Sequence, residues 1–335
     1  MQTLPVIDMT AIRSAGDRTT GPAGHAESEV VESIHAACRD VGFFYAVGHG
    51  MDPSLLHRLD SLSREFFALP EFEKRHIAMA RAGRAWRGWF PVGAELTSGI
   101  PDMKEGIYFG AELARNDPRV VAGTLLHGPN LFPERPPDLS SVVLSYMDAM
   151  TRIAQSLLSA MGMALGLGGT WFRENLTADP LILFRIFRYP PVEADDERWS
   201  VGEHSDYGLL TLVAQDDSGG LEVKTAAGWI EAPPIPGSFV CNLGDMLERL
   251  TGGMYRSTPH RVRNTQTRDR LSFPFFLDPS WNALVNRLPF TARPDDLQAT
   301  DRWDHTNVHE LSGTYGEYIT DKVKKVFPAL SDRES

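Results

Sequence analysis

The sequence predicts a mainly β chain with peripheral helices, its second half built from short strands that close as a sandwich or barrel. Three observations carry this. After residue 180, seven strand-like runs alternate with Gly, Pro and Asp turn clusters: Leu181–Tyr189, Gly208–Gln215, Gly220–Val223, Trp229–Ala232, Ser238–Leu243, His260–Asn264 and Arg270–Leu277. Between Asp138 and Leu165, the apolar residues Val143, Met147, Met150, Ala154, Leu157 and Met161 recur at three- and four-residue steps, the pattern of one buried face of a long helix. The chain has 335 residues, 42% hydrophobic and 23% charged, which is enough apolar material for a large core.

The remaining elements follow from local chemistry. Leu4–Met9 is a short apolar run of strand type, and Ala11–Ser28, rich in Gly, Ser, Thr and charge, reads as a mobile loop. Helical spacing returns in Glu29–Cys38, and Gly42–Val47 is a strand opened by glycine. Asp52-Pro53 opens a helix, with Asp as cap and Pro at the first helical position, running to Phe67. Residues 81–136 are rich in Gly, Pro and aromatics and read as loops with short strands. The cluster Asp216-Asp217-Ser218-Gly219-Gly220 predicts a hairpin turn. Gly313–Val326 reads as a terminal helix, with Asp332–Ser335 frayed. The division expected is 1–135 as an N-terminal α/β region, 136–180 as a scaffold helix, 181–285 as the catalytic core and 286–335 as a C-terminal extension.

Charge and cysteine content exclude whole classes of function. Lys plus Arg is 33 and Asp plus Glu 44, a net charge of −11, which argues against a general nucleic-acid or anionic-membrane partner. Cys38 and Cys241 form no C-x-x-C pair, so neither a disulfide framework nor a Cys-type zinc site is expected. With no basic-then-apolar leader at the N-terminus and no apolar run long enough to span a bilayer, the expectation is a cytoplasmic protein acting on a small molecule.

The chemistry gathers in the β half. His204-Ser205-Asp206 opens a strand-like run, and alternation on a strand would turn His204 and Asp206 to one side. His260 opens another run 54 residues later. Two imidazoles and a carboxylate give three ligands with positions left open on the metal, the set used by non-haem Fe(II) oxygenases. Ten residues past His260, Arg270-Leu271-Ser272 puts a guanidinium and a hydroxyl on one face, a receptor for a carboxylate.

Together, His204-x-Asp206, His260 and Arg270-x-Ser272 resemble the isopenicillin N synthase-like Fe(II)- and 2-oxoglutarate-dependent oxygenases. Further stretches match in order: Leu4-Pro5-Val6-Ile7-Asp8; Gly42-Phe43-Phe44 with Gly48-His49-Gly50; Phe66-Phe67-Ala68-Leu69-Pro70; Arg87-Gly88-Trp89 with Gly93, Glu95, Asp102, Lys104 and Glu105; Gln215-Asp216-Asp217 with Gly219-Gly220-Leu221; and Ser257-x-Pro259-His260-Arg261-Val262. The likeness runs from about residue 4 to 280.

The resemblance implies a double-stranded β-helix, or jelly roll, with N-terminal helices packed outside. It implies Fe(II) on His204, Asp206 and His260, with 2-oxoglutarate and O2 as co-substrates. The distal carboxylate of 2-oxoglutarate would sit on Arg270 and Ser272, helped by Tyr189. The reaction implied is oxidation, foremost hydroxylation, of a C–H bond, with succinate and CO2 released. One departure stands out: Phe187 replaces an Asn that contacts 2-oxoglutarate in many plant members, which leaves two expectations, compensation by Arg188 or Arg185 or an altered co-substrate site. Bacterial ethylene-forming enzymes share an Arg at the Arg185 position and match at Glu95 and Thr97. The expected substrate wall is Arg185, Phe187, Tyr207, Trp89, Glu95 and Phe276, and His49 is read as structural. Four alternatives stay open at this point: an oxidase of the same family without 2-oxoglutarate, an ethylene-forming type, a zinc hydrolase and a non-catalytic jelly-roll binding protein.

Overall fold

The computed structural model describes residues 3–13, 24–191, 199–289, 307–310 and 312–327. Among them the strands are β1 Val6–Asp8, β2 Phe43–Val47, β3 Gly88–Phe90, β4 Leu96–Thr97, β5 Ile100–Pro101, β6 Glu105–Gly110, β7 Pro180–Tyr189, β8 Val201–His204, β9 Leu210–Gln215, β10 Leu221–Thr225, β11 Gly228–Glu231, β12 Phe239–Leu243, β13 His260–Val262 and β14 Arg270–Ser280. The helices are α1 His25–Asp40, α2 Pro53–Phe67, α3 Glu71–Lys74, α4 Pro118–Val121, α5 Leu139–Ala164, α6 Trp171–Asn175, α7 Asp245–Leu250 and α8 Tyr315–Val326.

Two sheets make the jelly roll. The larger has the order β1-β2-β12-β9-β14-β7-β6-β3, the smaller β11-β10-β13-β8. Their inner faces enclose the site described below. The long helix α5 packs against β9 and β14 from outside, and α1 and α2 pack on α5 in turn. The six residues of the predicted α5 stripe are all buried. Helix α2 starts where its cap requires: the Asp52 carboxylate accepts the Ser54 amide at 2.8 Å, an N-cap worth roughly 0.5–2 kcal/mol.

Two expectations are corrected. The loop predicted over Ala11–Ser28 is shorter at its far end, because α1 already begins at His25; residues 14–23 lie outside the described residues. The turn at Asp216–Gly220 does not make a hairpin. Strand β9 pairs with β12 and β14, whereas β10 pairs with β11 and β13, so the turn is the corner where the chain leaves one sheet for the other. Local turn chemistry is the same for both outcomes, since Gly219 and Gly220 adopt φ of 74° and 84°. What decides is the long-range partner. The Asp216 carboxylate accepts the Leu271 amide of β14 at 2.7 Å and meets Arg64 of α2 at 3.1 Å, fixing the corner to the larger sheet. A side chain at Gly220 would lie 1.9 Å from the Arg263 carbonyl oxygen, so the backbones close there.

Candidate metal centre and co-substrate pocket

Strands β8 and β13 run antiparallel with His204 directly opposite His260, and the two imidazole centroids lie 4.2 Å apart. Each ring is oriented by its own strand. His204 Nδ1 donates to the Gly202 carbonyl at 2.8 Å, and His260 Nδ1 donates to the Thr258 carbonyl at 3.2 Å. With the proton held on Nδ1, the Nε2 lone pair of each ring is left for a metal. Phe43 packs edge-on against His260 with centroids 5.3 Å apart and narrows its rotation.

Asp206 arrives by a different route from the one strand alternation predicts. Strand β8 ends at His204, so Asp206 sits in the following loop. Its carboxylate is turned inward by two donors on other strands, Asn242 Nδ2 at 2.7 Å and Thr211 Oγ1 at 2.6 Å, both on Oδ2. Oδ1 is left 3.8 Å from His260 Nε2. Nitrogen and oxygen ligand atoms of His204, Asp206 and His260 all lie within 4.8 Å of one another, so these residues could hold a metal ion. Burial holds His204 below the usual imidazole range, and burial together with the neighbouring His204 pushes His260 down to about 4. Burial acts to raise Asp206, but the two imidazoles and the two donors outweigh it and hold the carboxyl below its ordinary value. At neutral pH the set is therefore two neutral imidazoles and one carboxylate, the protonation state in which these groups bind metal.

The carboxylate receptor forms where β14 runs beside β7. Arg270 stands opposite Tyr189, and Ser272 opposite Phe187. Arg270 Nε donates to the Gly219 carbonyl at 2.6 Å and Nη2 to Gln215 at 3.3 Å, both in the corner between the sheets, while Nη1 is buried without an acceptor. The guanidinium lies 4.7 Å over the Tyr189 ring, and the Tyr189 hydroxyl meets Ser272 Oγ at 3.2 Å. An aimed guanidinium with an unsatisfied Nη1, beside two hydroxyls, suits a carboxylate.

Both groups line one cavity of about 850 Å³. Alternation on β14 places Arg270, Ser272, Pro274, Phe276 and Asp278 along it, and β7 contributes Leu183, Arg185, Phe187 and Tyr189. Of the predicted substrate wall, Arg185, Phe187, Tyr207, Glu95 and Phe276 line it. Trp89 is not among the lining residues: its indole donates to Glu105 Oε2 at 2.8 Å behind the wall. Arg188 points to the other side of β7, paired with Glu105 at 2.6 Å and Asp269 at 2.8 Å, so it does not stand in for the Asn replaced by Phe187. His49 is held by the Gly237 carbonyl at 3.0 Å and the Met51 amide at 3.1 Å, away from these ligands. Glu203 pairs with Lys224 at 2.7 Å and is not among the residues lining the cavity.

Other lining residues are not legible as such in the sequence. Lys104 lies 4.7 Å over the Phe187 ring and pairs with Glu95 at 2.9 Å and with Asp102. Tyr108 donates to Glu95. Helix α8 supplies Ile319, Lys322 and Val323, with Val326 and Phe327 beyond them. It is seated by Tyr315, whose hydroxyl donates to Asp278 at 2.6 Å, and Tyr318, whose hydroxyl donates to Asp245 at 3.1 Å. Nothing near the ligand motifs in sequence announces a wall contributed from residue 315 onward.

Comparison with known proteins agrees with this geometry. Residues 4–135 match the family described as non-haem dioxygenase in morphine synthesis N-terminal, and residues 179–279 match the 2OG-Fe(II) oxygenase superfamily. A protein of Dictyostelium discoideum named "Probable iron/ascorbate oxidoreductase" is 45% identical over 327 residues, covering 90% of both chains. A homoarginine-6-hydroxylase of Arabidopsis thaliana is 37% identical over 293 residues, covering 86% of this chain and 88% of its own. The crystal structure of a Neurospora crassa protein in complex with alpha-KG and thymine shares the fold, with a TM-score of 0.75 at 23% identity over 96% of each chain. No helix among the described residues is long and apolar enough to cross a membrane. On relatives matched over nine-tenths of its length and a superfamily model matched across its β core, the chain belongs to the Fe(II)- and 2-oxoglutarate-dependent oxygenases.

Proposed function

We propose that the protein hydroxylates a C–H bond of a small amino acid or closely related carboxylate, with Fe(II) on His204, Asp206 and His260 and the distal carboxylate of 2-oxoglutarate on Arg270, Ser272 and Tyr189. Bound Fe(II), with 2-oxoglutarate and O2, supplies the oxidising power, and succinate and CO2 are the co-products. The observation that carries the reading is the pairing, in one cavity, of two imidazoles with free Nε2 lone pairs and a guanidinium with an unsatisfied Nη1. The residue types match what each group needs: three ligands leave room on the metal, and a planar fork takes a carboxylate.

The chain's own side chains then have defined tasks. Thr211 and Asn242 hold Asp206 so that only Oδ1 is offered. The Gly219 carbonyl and Gln215 fix the Arg270 guanidinium, which would hold the distal carboxylate. Leu183, Val213, Phe276, Val323 and Phe327 give the cavity apolar lining, which would limit water near a reactive centre. Arg185, Phe187, Tyr207, Glu95 and Phe276 form the wall for the primary substrate. The substrate class follows from the relative named for homoarginine and from the charged lining residues Glu95, Arg185 and Lys322.

The test is a panel of amino acids, homoarginine included, incubated with Fe(II), 2-oxoglutarate and O2. Succinate release stimulated by a panel member, lost in His204→Ala together with bound metal, is the expected result. Hydrolytic turnover with zinc and no O2 uptake would overturn the reading.

A further inference from the structure

Arg185 is a poorly satisfied charged group in the cavity. Its guanidinium is stacked between two rings, 4.2 Å from the centre of Tyr108 and 4.7 Å from that of Phe276. The two rings pack on the guanidinium and restrict its orientation, which leaves hydrogen bonding to its N–H groups. Those groups have little to bond. Among the described residues, Arg185 has one ion pair, Glu95 at 3.7 Å, a separation too long for a hydrogen bond. Glu95 is itself engaged, by Lys104 at 2.9 Å and by the Tyr108 hydroxyl. Arg185 Nε is buried with no acceptor. The side chain keeps 19% of its surface exposed while lining the cavity, so the remaining donors face that space. A guanidinium taken from water and left without acceptors is unfavourable by itself, and becomes favourable once an anion supplies them.

Arg185 also differs from Arg270 in how it is prepared. Arg270 is aimed by acceptors from the protein. Arg185 is placed by the two rings and by the longer ion pair with Glu95, with no acceptor on Nε, which leaves N–H donors for a ligand. On β7 it stands four residues from Tyr189, the partner of Arg270, or about 13 Å at roughly 3.3 Å per residue. A 2-oxoglutarate anchored at Arg270 with its other end at the metal has one further carboxylate, the C1 group.

We propose that Arg185 is the receptor for the carboxylate of the primary substrate, fixing the molecule by its anionic end so that a carbon farther along is presented to the metal. This rests on the reading of the cavity as the oxygenase site. The same chemistry could instead be met by the C1 carboxylate of 2-oxoglutarate, and the experiment separates the two sources.

Anaerobic holoenzyme with Fe(II) is titrated with 2-oxoglutarate, following the visible charge-transfer absorbance of the chelate. Substrate acids that stimulate succinate release are then compared with their primary amides. The wild type is expected to show the absorbance and to prefer acid over amide by about tenfold to about 100-fold in kcat/KM, the scale of a hydrogen bond to a charged group. Arg185→Gln is expected to titrate with 2-oxoglutarate at the wild-type midpoint and to lose the acid preference. Arg185→Lys, which keeps the charge but not the fork, should fall between. A tenfold weaker 2-oxoglutarate titration in Arg185→Gln would assign the arginine to the co-substrate and overturn the proposal. So would equal turnover of acids and amides by the wild type, a result that does not depend on how any variant folds. Absence of the absorbance in the wild type would defeat the underlying site reading instead.

Discussion

Asn242 of β12 reaches Asp206 across 36 residues of sequence, its side-chain amide donating to Oδ2 at 2.7 Å. Both are buried, and together with the Thr211 hydroxyl the bond occupies Oδ2 and leaves Oδ1 toward the imidazoles. Replacing Asn242 with Ala should therefore weaken metal binding by about 10–100-fold while the ligands themselves remain. Titration with Co(II) or Mn(II), followed by tryptophan fluorescence, would check this. Unchanged affinity would mean that Thr211 alone orients the carboxylate.

Removing the receptor should act on the co-substrate. Arg270→Gln is expected to raise the KM for 2-oxoglutarate by at least about 100-fold, and Ser272→Ala by only several-fold, since one supplies a charged fork and the other a single neutral donor. A Ser272→Ala effect as large as that of Arg270→Gln would show that the hydroxyl has a role beyond one hydrogen bond. The comparison is made from succinate formation at saturating primary substrate, so that kcat and KM separate.

Gly208 follows the metal-ligand loop closely, and a Cβ there would lie 1.5 Å from Asp278 Oδ1. Gly208→Ala should destabilise the protein by about 1–3 kcal/mol through overpacking. Shortening Asp278 to Ala in the same chain should recover part of that loss, because the two sites share one contact. Thermal unfolding of the two single variants and the double variant gives the coupling, and strict additivity would refute it.

Asp278 also predicts a pH dependence. Burial pushes its carboxyl up to about 7, the Tyr315 hydroxyl opposing the shift in part. A folded state that keeps a proton the unfolded chain has released loses stability as pH rises. The contribution is full below the unfolded carboxyl value of about 4, declines through the interval up to about 7, and is flat above. Asn at this position has no proton to lose. The melting temperature of metal-free wild type should therefore fall relative to Asp278→Asn between pH 5 and pH 7, by several degrees, and track it above pH 8. Parallel curves across that range would rule out an ionisation at Asp278.

Much of the site can be read in the sequence because period-two alternation carries it. Arg270 and Ser272 share a face of β14 and both line the cavity, as their spacing predicts. The α5 stripe and the Asp52 cap are equally local matters. Sequence and structure part where distant partners decide. Strand alternation turns Asp206 inward on paper, yet the residue lies beyond the strand and is turned by Asn242 and Thr211. The glycine pair at 219–220 reads as a hairpin because its turn chemistry is the same at a corner. Nearness to a motif assigns Trp89 to the pocket, whereas the acceptor for its indole, Glu105, draws it to the far side. The wall from α8 has no local signature, since its seat depends on Tyr315 meeting Asp278 and Tyr318 meeting Asp245.

The Asp216 corner links two parts of the molecule that share no ligand. Arg64, on a helix outside the barrel, grips the carboxylate that also holds the start of β14, and the same corner supplies the Gly219 carbonyl that aims Arg270. Loosening Arg64 would thus be transmitted, through one carboxylate, to the backbone that aims the Arg270 guanidinium.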